Sequence, residues 1–147
     1  MRKKCLVVLL FLAIAGMALS FPGFTVAADL VMVGNRSVPV SELSASDIQN
    51  IYLGKKKVWD NGMKIELAVL GDGPVTDKFL KDYVKKNSNT FDTYWKKQVF
   101  TGGGKPPVKF EKEKDLVEYV SSNKGAMGYV SSQSVSENVK IILVKGQ

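Results

Sequence analysis

The stretch that most constrains the fold runs from an apolar segment through a glycine-rich turn into a helical pattern. Residues 65–70 are mostly apolar and predict a buried strand. Gly71 and Gly73 then mark a tight turn. Beyond the turn, apolar residues recur at the spacing of one helix face, and these are Phe79, Leu80, Tyr83 and Val84. The stretch therefore predicts a strand, a turn and an amphipathic helix in succession.

The start of this helix is the natural place for a small anion. We place the start at Thr76, whose hydroxyl is typical of an N-cap. The first N–H groups of a helix have no intrahelical acceptor and attract negative charge. Backbone N–H groups at Gly71, Gly73 and Thr76, with the Thr76 hydroxyl, are the candidate donors. A purely structural role is the alternative, because a Thr cap and Asp77 in the first turn need no ligand.

The N-terminal residues have the pattern of a secretory signal peptide. Three basic residues at positions 2–4 precede an apolar run, and small residues precede a cut after Ala28. The apolar run is shorter than the ~20 residues that span a bilayer. We therefore expect a cleaved signal at residues 1–28, a domain at residues 29–147, and a periplasmic or secreted protein. A retained N-terminal anchor is the alternative, and the signal would be the only membrane contact.

The amino-acid composition limits the kinds of metal site and catalytic group that this chain can have. The chain has no histidine, and its one cysteine, Cys5, lies in the predicted signal peptide. The usual metal sites and Ser–His or Cys–His nucleophiles are therefore not expected, and no cofactor is indicated. Without the three basic residues at positions 2–4, the formal charge falls from +7 to +4, which gives little support for nucleic-acid binding. Asp72 and Asp77 could act as an acid–base pair, but no nucleophile accompanies them, so we expect no enzyme.

Strands and helices alternate through the rest of the chain. Ser44 with Asp47 predicts a capped helix that ends at Gly54. Thr90 is expected to cap a second helix, and residues 113–122 are expected to form a third. The second helix carries an apolar stripe that we expect in the core, formed by Phe91, Tyr94, Trp95 and Val99. Interleaved strands and helices predict an α/β domain with a largely buried mixed sheet.

Several local patterns occur together in a fixed order. They are residues 43–48 running into 51–55, Trp59 with Asn61 and Gly62, Tyr94 and Trp95 with residues 100–103, Pro106 with Pro107, and residues 125–130. Together they resemble the phosphate-type substrate-binding proteins of ABC importers, and more closely a short, single-lobe branch of that family. The resemblance covers nearly all of residues 29–147. It implies one periplasmic-binding-protein-like lobe, a mixed β-sheet flanked by helices.

The resemblance also implies an anion site in the turn. The loop that holds phosphate in full-length relatives corresponds to residues 70–76, and its matching positions here make the implied site Gly71, Asp72, Gly73 and Thr76. Three positions differ: Leu70 replaces an Arg, Pro74 a Ser and Val75 a Gly. Leu70 removes a charged bidentate donor, and Pro74 removes a hydroxyl and an N–H group.

Two functions follow as expectations. The first is an exported solute-binding protein that binds phosphate or another small oxyanion and serves an ABC transporter permease. The second is an interaction or assembly module that uses the same lobe to bind another envelope protein, without phosphate. A chain of one lobe cannot close around a ligand as two lobes do, so either function leaves a surface open to a partner.

Overall fold

The structure is a computed structural model and describes residues 29–146. The predicted signal peptide at residues 1–28 lies outside the described residues. In chain order the elements are β1 (Leu30–Gly34), β2 (Glu42–Ser44), α1 (Ala45–Tyr52), β3 (Glu66–Leu70), α2 (Pro74–Phe79), which continues as a π-helical turn (Leu80–Val84), α3 (Ser88–Phe100), β4 (Val108–Phe110), α4 (Glu113–Ser122), β5 (Ala126–Ser131), a 3₁₀ turn (Ser132–Ser134) and β6 (Lys140–Lys145).

The six strands of the described part form one mixed sheet in the order β2-β6-β1-β5-β3-β4. β1 pairs antiparallel with both β5 and β6. β3 pairs parallel with both β4 and β5, and β2 pairs parallel with β6. β5 lies in the middle and is buried along its whole length. The predicted α/β class with a mixed sheet flanked by helices is confirmed, whereas burial is concentrated in β1, β3 and β5 and the strands β2, β4 and β6 are mostly half-buried or exposed.

Helices cover both faces of the sheet, and β5 shows how. Gly128 faces α4, where a Cβ would lie 2.7 Å from Leu116 Cδ2, so only glycine allows α4 to pack this closely. Tyr129 points to the opposite face, since side chains alternate along a strand. There it stacks on Phe79 of α2 with ring centroids 3.9 Å apart. The core therefore has two layers, with α4 on one side and α1 and α2 on the other.

The helix starts follow local chemistry, and two differ from prediction. α1 has the predicted capping box between Ser44 and Asp47. α2 begins at Pro74 with Gly73 as N-cap, so the predicted start at Thr76 is wrong; proline at the first helical position already has a helical φ. α3 begins earlier than predicted, because the side chain of Asn87 accepts the Thr90 N–H at 2.8 Å and caps the helix.

None of the helices within residues 29–146 is long and apolar enough to cross a bilayer.

Candidate functional site

The glycine turn lies at one edge of the sheet, where three neighbouring strands end together. β3 runs parallel to β4 and β5, so the carboxyl ends of these strands meet at that edge. The residues that follow them are Gly71 after β3, Glu111 after β4 and Ser132 after β5. Ligands of open α/β sheets bind outside the carboxyl ends of the strands. The predicted site residues Gly71, Asp72, Gly73 and Thr76 are therefore at a suitable place in the fold.

Gly71 is held against β4 and has little freedom to contact a ligand. Its N–H donates to the carbonyl of Phe110 at 2.9 Å, which extends the β3–β4 ladder by one residue. A Cβ on Gly71 would lie 3.0 Å from the Glu111 Oε2 atom. The Gly71 N–H already has an acceptor, and a carboxylate lies beside it.

Thr76 faces the interior and belongs to a closed hydrogen-bond network. Its side chain is buried at 5% exposure, and its hydroxyl donates to the Gly71 carbonyl at 2.7 Å. The Tyr129 hydroxyl donates to Thr76 Oγ1 at 3.1 Å and accepts the Leu70 N–H at 3.2 Å. The hydroxyl predicted to cap α2 therefore ties the turn to β5 instead.

The pKa of Tyr129 is changed by this buried environment. The pKa of Tyr129 is raised from 10.0 to about 12, mainly because the phenol is buried. Hydrogen bonds with Thr76 and Leu70 oppose this rise, and the negative charges of Asp72 and Asp77 contribute to it. Both carboxylates are exposed and close enough to act on Tyr129, so the mouth of the turn has negative potential.

The first turn of α2 has N–H groups that make no intrahelical hydrogen bond. No side chain caps Gly73, and the first backbone bond of the helix runs from the Asp77 N–H to the Gly73 carbonyl at 2.9 Å. Pro74 has no N–H. The N–H groups of Val75 and Thr76 belong to the first helical turn and have no intrahelical acceptor.

A small cavity separates the turn from the start of α3. It measures about 10 Å³ and is lined in part by Asp72, Thr76, Ser88, Lys109 and Tyr129. The Ser88 hydroxyl oxygen is buried there and has no hydrogen-bond partner within the described part of the chain. That volume is close to the space one water needs. The cavity thus has an unsatisfied hydroxyl beside the turn.

Lys109 brings a positive charge to the same cavity. Its ammonium lies 3.5 Å from the Asp92 carboxylate, and both side chains are more than two-fifths exposed. An exposed pair at this distance is weak, so Lys109 can exchange Asp92 for another anion. Neither Ser88 nor Lys109 was predicted as a site residue. No local signal marks them, because they meet the turn only through the packing of α3 and β4.

The neighbouring end of β5 is closed. Glu113 accepts the Ser131 N–H at 3.1 Å and the Ser131 hydroxyl at 2.7 Å, and it also accepts the Ser134 hydroxyl. Burial raises the pKa of Glu113, but these three hydrogen bonds outweigh it and the net pKa is lowered. Residues 29–146 contain no group of His, Cys, Asp or Glu side chains arranged to hold a metal ion. The open part of the edge is therefore the turn and its cavity.

Comparison with known proteins adds a family and a fold. Residues 25–143 match a family model described as a PBP superfamily domain. A search of curated protein sequences finds no match.

Solved structures of similar fold include a Clostridium perfringens protein assigned as a phosphate ABC transporter substrate-binding protein, with bound phosphate (TM-score 0.65, 20% identity, 81% of this chain and 46% of that chain). PstS from Borrelia burgdorferi has a TM-score of 0.60 and 12% identity, over 82% of this chain and 48% of that chain. An ABC-type phosphate transport receptor from Vibrio cholerae has a TM-score of 0.56 and 19% identity, over 82% of this chain and 47% of that chain. The chain spans about half the length of these structures, and at such identities the likeness shows the fold alone.

Proposed function

The chain belongs to the PBP superfamily domain family, and from that premise we propose that it is an exported solute-binding lobe of the phosphate type that binds a small oxyanion beside the glycine turn. The observation that carries the proposal is the buried Ser88 hydroxyl, which has no hydrogen-bond partner within residues 29–146 and lines a cavity next to the turn. A buried hydroxyl without a partner costs about 1–3 kcal/mol, so an oxygen ligand there is favoured.

The donors would come from three elements. Ser88, at the first position of α3, offers its hydroxyl, and Lys109 on β4 offers an ammonium. The first turn of α2 adds the N–H groups of Val75 and Thr76. Of the residues proposed from sequence, Gly73 would contribute as the N-cap that leaves this turn open, and Gly71 and Asp72 would shape its rim.

The same geometry predicts weak binding. The cavity holds no more than about one water-sized group, so a phosphate would sit at its mouth with one oxygen inside. Asp72 and Asp77 oppose a multiply charged anion there. Two charge-assisted hydrogen bonds contribute roughly 3–6 kcal/mol, which corresponds to a Kd between about 6 mM and about 0.04 mM, and the repulsion by the two carboxylates favours the weaker, millimolar end.

A second protein would supply the missing wall. The turn lies at the open carboxyl ends of β3, β4 and β5, so a partner surface can cover the anion from outside. An ABC transporter permease or another envelope protein is the proposed partner, in the periplasm or outside the cell, and the role is binding without catalysis.

The test is a phosphate titration of the ¹⁵N-labelled protein at low ionic strength, followed by NMR. We expect shifts of the Val75, Thr76 and Ser88 amides, and affinity several-fold lower in Lys109→Gln. Lys114→Gln makes the same charge change on α4, at the other face of the sheet, and should bind as the unmodified protein does. Absence of these shifts at phosphate concentrations well above millimolar would refute the proposal.

A further inference from the structure

A second concave surface lies along α3. It is a groove of about 500 Å³ between that helix and Pro106 and Pro107, and it shares Val69, Phe91, Asp92 and Lys109 with the cavity beside the turn. Its walls are mainly apolar and include Phe91, Trp95, Val99, Phe100, Pro106 and Pro107. We call this the α3 groove. It is the right size for a few side chains of a partner.

Two apolar residues of α3 are left in solvent at this groove. Phe100 is 91% exposed and Val99 is 48% exposed. Val99 was expected in the core with the rest of the helix stripe; instead only Phe91 and Trp95 are buried and Tyr94 is half-buried. The last turn of α3 therefore lines the groove with exposed apolar side chains. An exposed apolar patch with a polar rim is typical of an interaction site.

The floor of the groove is rigid before any partner arrives. Trp95 donates its Nε1–H to the Tyr52 carbonyl at 3.1 Å, which fixes the indole. Gly54 has φ +70°, and a Cβ there would lie 2.8 Å from the Trp95 ring, so glycine lets the turn after α1 pack on the indole. Tyr94 is held too, because its hydroxyl donates to the Leu53 carbonyl at 2.5 Å. A preformed apolar site loses little entropy on binding.

A lysine-rich pocket adjoins the groove and shares Trp95 and Pro106 with it. This pocket measures about 80 Å³, and the lysines that line it are Lys56, Lys57, Lys64 and Lys105. Lys57 donates to the Gly103 carbonyl at 2.7 Å, which ties the loop to the pocket. We call it the lysine pocket.

Positive charge is in excess over this combined surface. Glu66 is shared by Lys64 at 3.7 Å and Lys105 at 3.6 Å. Asp60 pairs with Lys56 at 2.9 Å. The groove itself adds Lys96 and the Lys109–Asp92 pair. Six lysines therefore face three carboxylates within the described residues, and the surface favours a partner with acidic groups beside its apolar ones.

We propose that the α3 groove and the lysine pocket together bind a peptide segment of a partner protein, with aromatic or aliphatic side chains in the groove and Asp or Glu side chains against the lysines. The apolar wall is concave and preformed, which suits inserted side chains better than a flat bilayer surface. A second copy of this chain is disfavoured, because residues 29–147 have a formal charge of +4 and would bring like charge to a basic surface. This proposal does not depend on oxyanion binding.

The test uses a display library of random dodecapeptides selected on the purified protein. We expect the enriched peptides to combine apolar side chains with two or more acidic ones. One such peptide should lose at least about tenfold in affinity with Phe100→Ser, because exposed aromatic anchors dominate peptide binding. Lys105→Gln should weaken binding several-fold and flatten its salt dependence.

Controls separate this surface from the rest of the molecule. Leu143→Ser removes another exposed apolar side chain, 63% exposed on β6 and outside the groove, and should leave peptide affinity unchanged. Phe100→Ser should leave phosphate shifts unchanged, so the two proposals fail separately. Selection without acidic enrichment, or equal affinity for Phe100→Ser, would overturn the proposal. Binding only to anionic vesicles, or self-association that Phe100→Ser abolishes, would overturn it in favour of a membrane or a second copy.

Discussion

The turn after β3 and the last turn of α3 differ in how far their side chains are exposed to solvent. In the first, Thr76 is 5% exposed and its hydroxyl both donates and accepts inside the fold. In the second, Phe100 is 91% exposed and faces a groove of about 500 Å³. The turn has carboxylates at its mouth, and the groove has lysines at its rim. The segment whose sequence resembles a ligand loop is the more closed of the two.

The difference shows that spacing alone does not identify a working site. A loop can keep the residues of a binding motif and still direct their donors to internal acceptors, as Gly71 and Thr76 do. Binding capacity then depends on groups that the fold leaves unsatisfied. Within residues 29–146 such groups include the Ser88 hydroxyl, beside the turn, and the exposed apolar side chains at the end of α3.

The largest contrast is expected from removing one phenylalanine ring in each region. Phe79 is fully buried and contacts the rings of Tyr52 and Tyr129 at 4.7 and 3.9 Å between centroids. Phe79→Ala should lower the free energy of unfolding by about 3–5 kcal/mol. Phe100→Ala should change it by less than about 0.5 kcal/mol, since the ring is already in solvent. Urea denaturation measures both, and similar losses would show that the end of α3 is not an open surface.

A smaller effect is expected from opening the network under the turn. Thr76→Val keeps the shape but leaves the Gly71 carbonyl and the Tyr129 hydroxyl short of a partner, at a cost of about 1–3 kcal/mol in unfolding free energy. Thr76→Ser, which retains the hydroxyl, is the matched control and should lose less. Equal stability of Thr76→Val and the unmodified protein would mean that the turn is not closed in solution.

An effect of similar size, confined to high pH, is a difference in alkaline stability. The pKa of Tyr129 is raised by burial from 10.0 to about 12, so the folded state favours the protonated phenol. The resulting stabilisation is complete below pH 10 and is lost as the pH rises towards 12. The free energy of unfolding should therefore fall less steeply between pH 10 and pH 12 in Tyr129→Phe, by roughly 1.4 kcal/mol per pH unit. Phe100→Ser should leave it unchanged, and denaturation at several pH values compares the three proteins.

Much of the fold was predictable because its signals are local. The capping box of α1 lies within four residues, and the bounds of α4 match the predicted residues 113–122. β2 and β4 were not predicted, since each has three residues and exists through pairing with β6 and β3. The start of α2 was misplaced because Pro74 and Thr76 both suit a helix N-terminus, and only the buried Tyr129 shows which way the Thr76 hydroxyl points.

The amino-acid sequence alone was enough to predict the α/β class, the succession of the helices and longer strands, and the glycine turn at the end of a buried strand. The surroundings of these features depend on how separate elements pack. A hydrophobic period shows which residues share a helix face, but not which of them a neighbouring element covers, and here Phe91 is buried whereas Val99 is exposed. Ser88 and Lys109 likewise lie beside the turn only through the packing of separate elements. Sequence spacing predicts which residues are close within one element. It does not predict which residues of different elements are close in space.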